Sequence, residues 1–368
     1  MHILPFQAEL TDTQAAIADA LGASRTAVAL GMFDGVHVGH TLVLENALRQ
    51  ARLQQAMAVA VTFEQHPQVL LSQTPTPQLS CLSDRLQAFE QMGFDAAVVL
   101  QFTDGFRAWS ADTFIQAFLV DALHASSVSV GYDYRFGKHR QGDGTYLRDA
   151  SAQLTPDQRF EVQTLDPVTV DEQIVSSTLI RKLLSTGRLA QANTLLGRPY
   201  AVQGQVVHGQ HRGRTIGFPT ANLALPPDRL CPQRGVYAGW AAIVDPASAK
   251  MPCTRWPAVC NIGTAPTFDA DGTTHATVEV HLLNPVTNDL YDHTLCMQFT
   301  HRLRDEQRFS SVDALVAQIT ADCSRARTLL GVTAETLNSP SMCSSGAWCQ
   351  HGITQASPCE TSLESQPS

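Results

Sequence analysis

The sequence predicts two folds in tandem: an α/β domain on a mainly parallel sheet, then an antiparallel barrel or sandwich followed by one helix. Three observations predict this. The 368 residues suffice for two domains. Through the first half, short apolar runs alternate with segments of helical periodicity, the rhythm of a parallel sheet with helices on its faces. After about residue 185, glycine, proline and short alternating runs take over, as in antiparallel barrels and sandwiches.

In chain order, Ala27–Leu30 reads as a short buried strand, and Leu42, Val43, Ala47, Leu48 and Ala51 recur after it at helical spacing. The residues between them, GMFDGVHVGH (Gly31–His40), are therefore a strand-to-helix turn. There, free backbone N–H groups and the helix dipole favour an anion. Val59–Phe63 is a strand, Ser83–Met92 a helix stopped by Gly93, and Ala96–Leu100 a buried strand. Ala111–Ala122 follows as a helix and Ser127–Gly131 as a strand. Ligands of such sheets sit at the carboxyl ends of the strands, where the quoted turn lies. In the second half, Ala201–Val207, Gly235–Val244 and Thr277–Leu283 are strand candidates, and a helix over about 311–330 stops at Gly331. From about Thr333 the chain is serine-rich with few large apolar residues, so it is expected outside the folded core.

Composition then excludes several functions. A net charge of −9 argues against a general nucleic-acid binder. No run of about 18 uncharged apolar residues reads as a membrane span, and Met1–Pro5 does not read as the start of a signal peptide. Nine cysteines, odd in number and scattered without C-x-x-C or zinc spacing, read as reduced thiols. A cytoplasmic protein is expected. Only Lys138, Lys182 and Lys250 are lysines, and G-x-x-x-x-G-K-[ST] is absent. ATP chemistry here must dispense with a P-loop lysine.

Five constellations carry chemistry. In the turn, Gly31, Gly35 and Gly39 leave room for a ligand near the backbone, and His37 and His40 above a helix N-terminus suit charge developing on a phosphate. In Val175–Arg181, Ser176, Ser177 and Thr178 are ordinary helix-opening residues, but Arg181 one turn in opposes the helix dipole unless an anion is bound. Val130–Gly137, with Tyr134 and Phe136, is compatible with a packed loop or with a holder of a planar ring and a nucleotide. Gly209–Asn222 combines Gly209, Gly213 and Gly217 with Arg212 and Arg214, a cationic flap suited to phosphates or an ordinary hairpin loop. Its Thr220 and Asn222 offer hard neutral oxygens that suit Mg²⁺ when substrate phosphates complete the shell. Finally, alternation puts Thr277, Glu279 and His281 on one strand face, solvated in an ordinary sheet but placed for proton transfer if they line a small barrel.

These segments together resemble the prokaryotic bifunctional riboflavin kinase/FAD synthetase family. The turn, Val61–Pro67, Gly131–Gly137, Ser176–Arg181, the flap with P-T-A-N, Asn261–Thr264, Glu279–Leu282 and His301–Phe309 follow in the family's order, over roughly residues 15 to 332. The resemblance implies a Rossmann-like nucleotidyltransferase domain over 1–185, an antiparallel β-barrel riboflavin kinase domain with a C-terminal helix over 186–332, and a tail over 333–368. It implies conversion of riboflavin and ATP to FMN and ADP in the barrel, and of FMN and ATP to FAD and pyrophosphate in the first domain. His37 and His40 would stabilise the α-phosphate. Gly31, Phe33, Asp34, Gly39, Asp133, Ser177, Thr178 and Arg181 would hold ATP in the first domain, and Gly209, Arg212, Gly213, Arg214 and Gly217 in the second. Glu279 would be the kinase base, Thr220 and Asn222 the Mg²⁺ ligands, and His66, Tyr134, Phe136 and Arg304 flavin contacts. Expected partners are riboflavin, FMN and ATP, without nucleic acid or membrane, in a monomer or weak homo-oligomer. Gln65 and Tyr132 depart from the family pattern, where proline and an acidic residue are frequent. The rival readings are an enzyme with one activity retained, or a flavin-binding storage or regulatory protein.

Overall fold

A computed structural model describes residues 1–8, 11–22, 24–65, 76–209, 212–244, 254–264, 276–284, 290–332 and 341–342. The first domain holds β1 (His2–Phe6), α1 (Thr11–Leu21), β2 (Thr26–Leu30), α2 (Val38–Gln54), β3 (Met57–Phe63), α3 (Leu82–Met92) and β4 (Ala96–Leu100). It continues through α4 (Phe114–Ala122), β5 (Ala125–Gly131), α5 (Gly144–Gln153) and β6 (Glu161–Leu165). Its strands pair in the order β1-β4-β3-β2-β5-β6, all parallel. The chain moves outward from β2 to β3 and β4, then crosses back to β5 on the other side of β2. The crevice at the carboxyl ends of β2 and β5 is thus a topological switch point.

Strand alternation decides where α2 sits. Ala27, Ala29, Ala58, Ala60 and Ala97 face α2 and α3, while Val28, Leu30, Val59, Val61, Val98 and Leu100 face the opposite layer with Phe114 and Phe118. An alanine face lets α2 lie close to the sheet, and the buried bond from Asn46 Nδ2 to Ser129 Oγ (2.9 Å) ties it to β5. The α2 stripe is Val43, Leu44, Ala47, Leu48 and Ala51; Leu42, expected on it, falls one position off and is exposed.

Two further departures from the sequence reading have local causes. β1 contains Pro5, which lowers strand propensity but is tolerated because β1 is an edge strand. The expected helix over 111–122 widens after Thr113 into a π-helix, α4, which a 3.6-residue periodicity does not distinguish.

Helices α6 (Ser177–Ser185) and α7 (Leu189–Leu196) lead to β7 (Tyr200–Val207), β8 (Ala221–Ala224), β9 (Gly235–Val244), β10 (Thr254–Thr264), β11 (Ala276–Leu282) and β12 (Thr294–Arg304). These six strands are antiparallel in the order β9-β12-β7-β8-β11-β10, and the β9–β10 pairing closes them into a barrel. Closure decides between the barrel and the sandwich. Its core includes Val202, Tyr237, Cys260, Ile262, Val278, Val280 and Phe299, and extends to Ile180, Leu183 and Leu184 of α6. The final helix, α8 (Val312–Leu329), is capped by Ser311 and followed by Gly331 at φ 64°, as expected. Of the expected tail, Ser341–Met342 pairs with Thr254 and Arg255; the rest lies outside the described residues.

Candidate functional site

The turn after β2 is backbone under constraint. Phe33 (φ 52°), Gly35 (φ 84°) and Val36 (φ 40°) all have positive φ, and a β-branched residue there is strained. Neighbouring segments hold it. The Asp34 carboxylate, 2% exposed, accepts from Leu79 N (3.0 Å), Ser80 N (2.9 Å), Ser80 Oγ (2.9 Å) and Arg181 Nη2 (2.6 Å). Gly35 N donates to Ser80 Oγ (2.7 Å), and Ser177 Oγ donates to Asp34 O (2.9 Å). Asp34 is thus a hub of the turn, and Arg181, rather than standing as a bare cation in the first turn of α6, is already neutralised by it.

The strained turn ends at His37, the N-cap of α2, whose Nδ1 accepts from His40 N (3.2 Å). An accepting Nδ1 leaves the proton of the neutral ring on Nε2. The two imidazoles stack with centroids 3.5 Å apart at 17°. Burial lowers the pKa of His37 to about 4, assisted by Arg198 and Arg181 against the opposing effect of Asp34. His40 falls well below the usual value, first by burial and then by the neighbouring His37, Arg198 and Arg181. Both rings are neutral donors at pH 7. His40 Nδ1 is a buried nitrogen without a hydrogen-bond partner among the described residues.

One cavity of about 300 Å³ gathers the sequence candidates of this domain: Gly31, Phe33, Asp34, His37, Gly39, His40, Asp133, Tyr134, Ser177, Thr178 and Arg181 all line it. It lies at the switch point, between the ends of β2 and β5 and the start of α6. Phe136 does not line it; it packs in the core at 5.9 Å from Tyr134 and 5.1 Å from Phe114. Phe114 in turn lines a second cavity of about 280 Å³ with Phe102, Phe106, Arg107, Trp109, Gly137, His139 and Arg140. His66 lies outside the described residues.

In the barrel, Val278 and Val280 point inward, so Glu279 stands half-buried on the outer face rather than in the interior. Register sets its neighbours: Asn222 of β8 is directly opposite on one side and Asn261 of β10 on the other. Directly opposed residues in antiparallel strands have Cβ atoms about 4.5–5.5 Å apart. Gly209 packs against the Asn222 amide, where any Cβ would collide. The flap turns back through the helical turn Arg212–Thr215, with Gly217 at φ 86° and Arg214 exposed. The Arg212 side chain lies outside the described ones. Pro219 O meets His281 Nδ1 at 2.8 Å, fixing Thr220 next to Glu279's face. Arg304 is bonded instead to Asp322 of α8 (2.8 Å, Nη2 to Oδ2).

Comparison with known proteins matches residues 21–179 to the FAD synthetase family and 196–330 to the riboflavin kinase family. The bifunctional riboflavin kinase/FMN adenylyltransferase of Pseudomonas fluorescens is 36% identical over 305 residues, 83% of this chain and 93% of that one. That of Listeria monocytogenes is 36% identical over 297 residues, 80% and 89% of the two chains. This chain belongs to the bifunctional riboflavin kinase/FMN adenylyltransferase family. It is an enzyme with both modules. A solved structure described as a macrolide-efflux protein of Streptococcus pneumoniae shares the fold at TM-score 0.75 and 30% identity, covering 89% of this chain and 99% of that one. Among the described residues no helix here is long and apolar enough to cross a membrane.

Sequence reasoning missed several groups that shape the two modules of the bifunctional enzyme. Leu79 and Ser80, which hold Asp34, have no local signature, because their partner is 45 or 46 residues away. Phe102, Phe106 and Trp109 of the adenylyltransferase module sit in a loop without regular period. In the kinase module, Glu306 Oε1 lies 2.8 Å from where a Gly263 Cβ would be, beside Thr277 and Asn261. Its motif was noticed, but the contact depends on the barrel closing.

Proposed function

We propose that FMN is adenylylated in the 300 Å³ cavity and riboflavin phosphorylated on the outer face of the barrel at Glu279. The observation that carries this reading is the convergence of four separated segments, around residues 31–40, 131–134, 165–168 and 175–181, on one cavity at the switch point. In adenylyl transfer, a phosphate oxygen of FMN attacks the α-phosphorus of ATP and pyrophosphate leaves. His37 Nε2–H and a ring N–H of His40 donate to the α-phosphate oxygens as charge accumulates. Ser177, Thr178 and the N-terminus of α6 receive the remaining phosphates. The aromatic cavity next to Phe114 suits the flavin ring, with Tyr134 and Phe136 linking it to the nucleotide.

In phosphoryl transfer, Glu279 takes the proton of the ribityl 5′-hydroxyl as its oxygen bonds to the γ-phosphorus and ADP leaves. The donor set fits Mg²⁺ carried by ATP. Thr220 and Asn222 supply neutral oxygens beside Glu279, and no group of three or more His, Cys, Asp or Glu that could hold a metal occurs among the described residues. ATP phosphates must therefore complete the shell. When bound, the cation neutralises charge on the transferring phosphates.

The test is incubation with riboflavin and MgATP, followed by chromatographic separation of riboflavin, FMN and FAD. Wild type should form FMN and then FAD, and EDTA should stop both. His40→Ala should accumulate FMN without FAD, with a loss of about 10²–10³ in adenylylation. Equal loss of FMN formation in a folded His40→Ala would sink the division of labour.

A further inference from the structure

Arg198 belongs to neither set of site residues. It lies between α7 and β7, two residues before the barrel begins at Tyr200, yet its guanidinium reaches back to the strained turn of the other module. Nη2 donates to Gly35 O (2.7 Å), and Nη1 donates to Val36 O (2.8 Å) and Leu196 O (3.3 Å). One planar group thus holds two successive carbonyls of residues at φ 84° and 40°, immediately before His37. The other side of the same peptide run is held by Ser80 Oγ on Gly35 N. Leu79 packs so closely that a Cβ on Gly35 would meet its Cδ1 at 2.9 Å. Burial lowers the Arg198 pKa to about 10, which leaves the group cationic at neutral pH. A lysine can reach one carbonyl but lacks the planar fork that holds two.

We propose that Arg198 is a positioning residue for adenylyl transfer, supplied by the kinase side of the chain, which fixes the Gly35–Val36 backbone so that His37 and His40 face the α-phosphate. The inference rests on the reading of those histidines given above. Arg198 does not touch the nucleotide cavity. Its effect passes through the turn, where a displacement of about 1 Å costs up to about 10² in rate.

The experiment compares full-length Arg198→Met, Arg198→Lys and His40→Ala. Each is assayed for FMN adenylylation and for riboflavin phosphorylation, with circular dichroism and thermal unfolding to verify the fold. For Arg198→Met, the expected result is a fall in adenylylation kcat of about 10- to 10²-fold. The KM values for FMN and ATP should stay within about threefold, and phosphorylation within about twofold, because substrate binding and the barrel face are untouched. Arg198→Lys should recover part of the loss. A folded Met variant with wild-type adenylylation kcat, beside an inactive His40→Ala, overturns the inference, as does parallel loss of both reactions. If the Met variant does not fold, wild-type adenylylation kcat in the Lys variant overturns it. An active His40→Ala instead brings down the underlying reading of the site.

Discussion

At the residue scale, the two histidines bind the chemistry to pH. The pKa of His37 is about 4 in the folded chain, against about 6.5 when unfolded. Between those values the unfolded chain holds a proton that the native chain does not, so stability rises with pH across about 4 to 6.5. His37→Gln should flatten that part of a stability–pH curve by up to about 3 kcal/mol, at about 1.4 kcal/mol per unit; an unchanged slope would show that His37 ionises freely. Glu279 gives a second prediction. Glu279→Gln keeps the shape but accepts no proton, so riboflavin phosphorylation should fall by roughly 10²–10⁴ while adenylylation of supplied FMN stays near wild type. Normal phosphorylation by a folded variant removes Glu279 from the mechanism. Both residues were legible in the sequence, because a strand-to-helix turn and a two-residue alternation are local patterns. Which side of the barrel Glu279 faces was not legible, since that depends on closure by β9 and β10.

At the scale of elements, the segment leading into α3 works in two directions. Leu79 and Ser80 hold the adenylyl-transfer turn, while Gln78 N donates to Asp228 O (2.6 Å) and Leu230 N to Gln78 O (2.9 Å) on the barrel side. Asp84, in the first turn of α3, accepts from Cys81 N (3.0 Å), Gln203 Nε2 (3.0 Å) and Arg229 Nη1 (2.7 Å). Both members of the Asp84–Arg229 pair are nearly buried. Asp84→Ala leaves a buried cation uncompensated and should cost about 3–5 kcal/mol in urea unfolding. Asp104→Ala, which breaks the exposed pair with Arg107, should change stability by less than about 1 kcal/mol. Similar costs for the two would mean that the seam is wet. The helix α3 itself was readable from its periodicity and Gly93. Its partners were not, because Arg229 is 145 residues away and carries no periodic signal.

At the scale of the whole molecule, the two modules are joined by more than a linker. The bonds of Gln78, Asp84 and Arg198 cross between them, so calorimetry of the full chain should give one unfolding transition; two separated transitions would mean that the seam is energetically idle. Tandem organisation and both fold types were visible in the change of texture near residue 185, but local patterns say nothing of which core a boundary helix joins. That helix is α6. It lends Ser177 and Thr178 to the nucleotide cavity, yet buries Ile180, Leu183 and Leu184 in the barrel core. The modules are therefore interleaved rather than strung like beads. A gene split after Ser185 would give a front half with a greasy, unclothed helix, and a back half whose barrel has lost one of its lids. Co-expression of the two halves would rescue solubility, because each fragment carries what the other needs to cover itself.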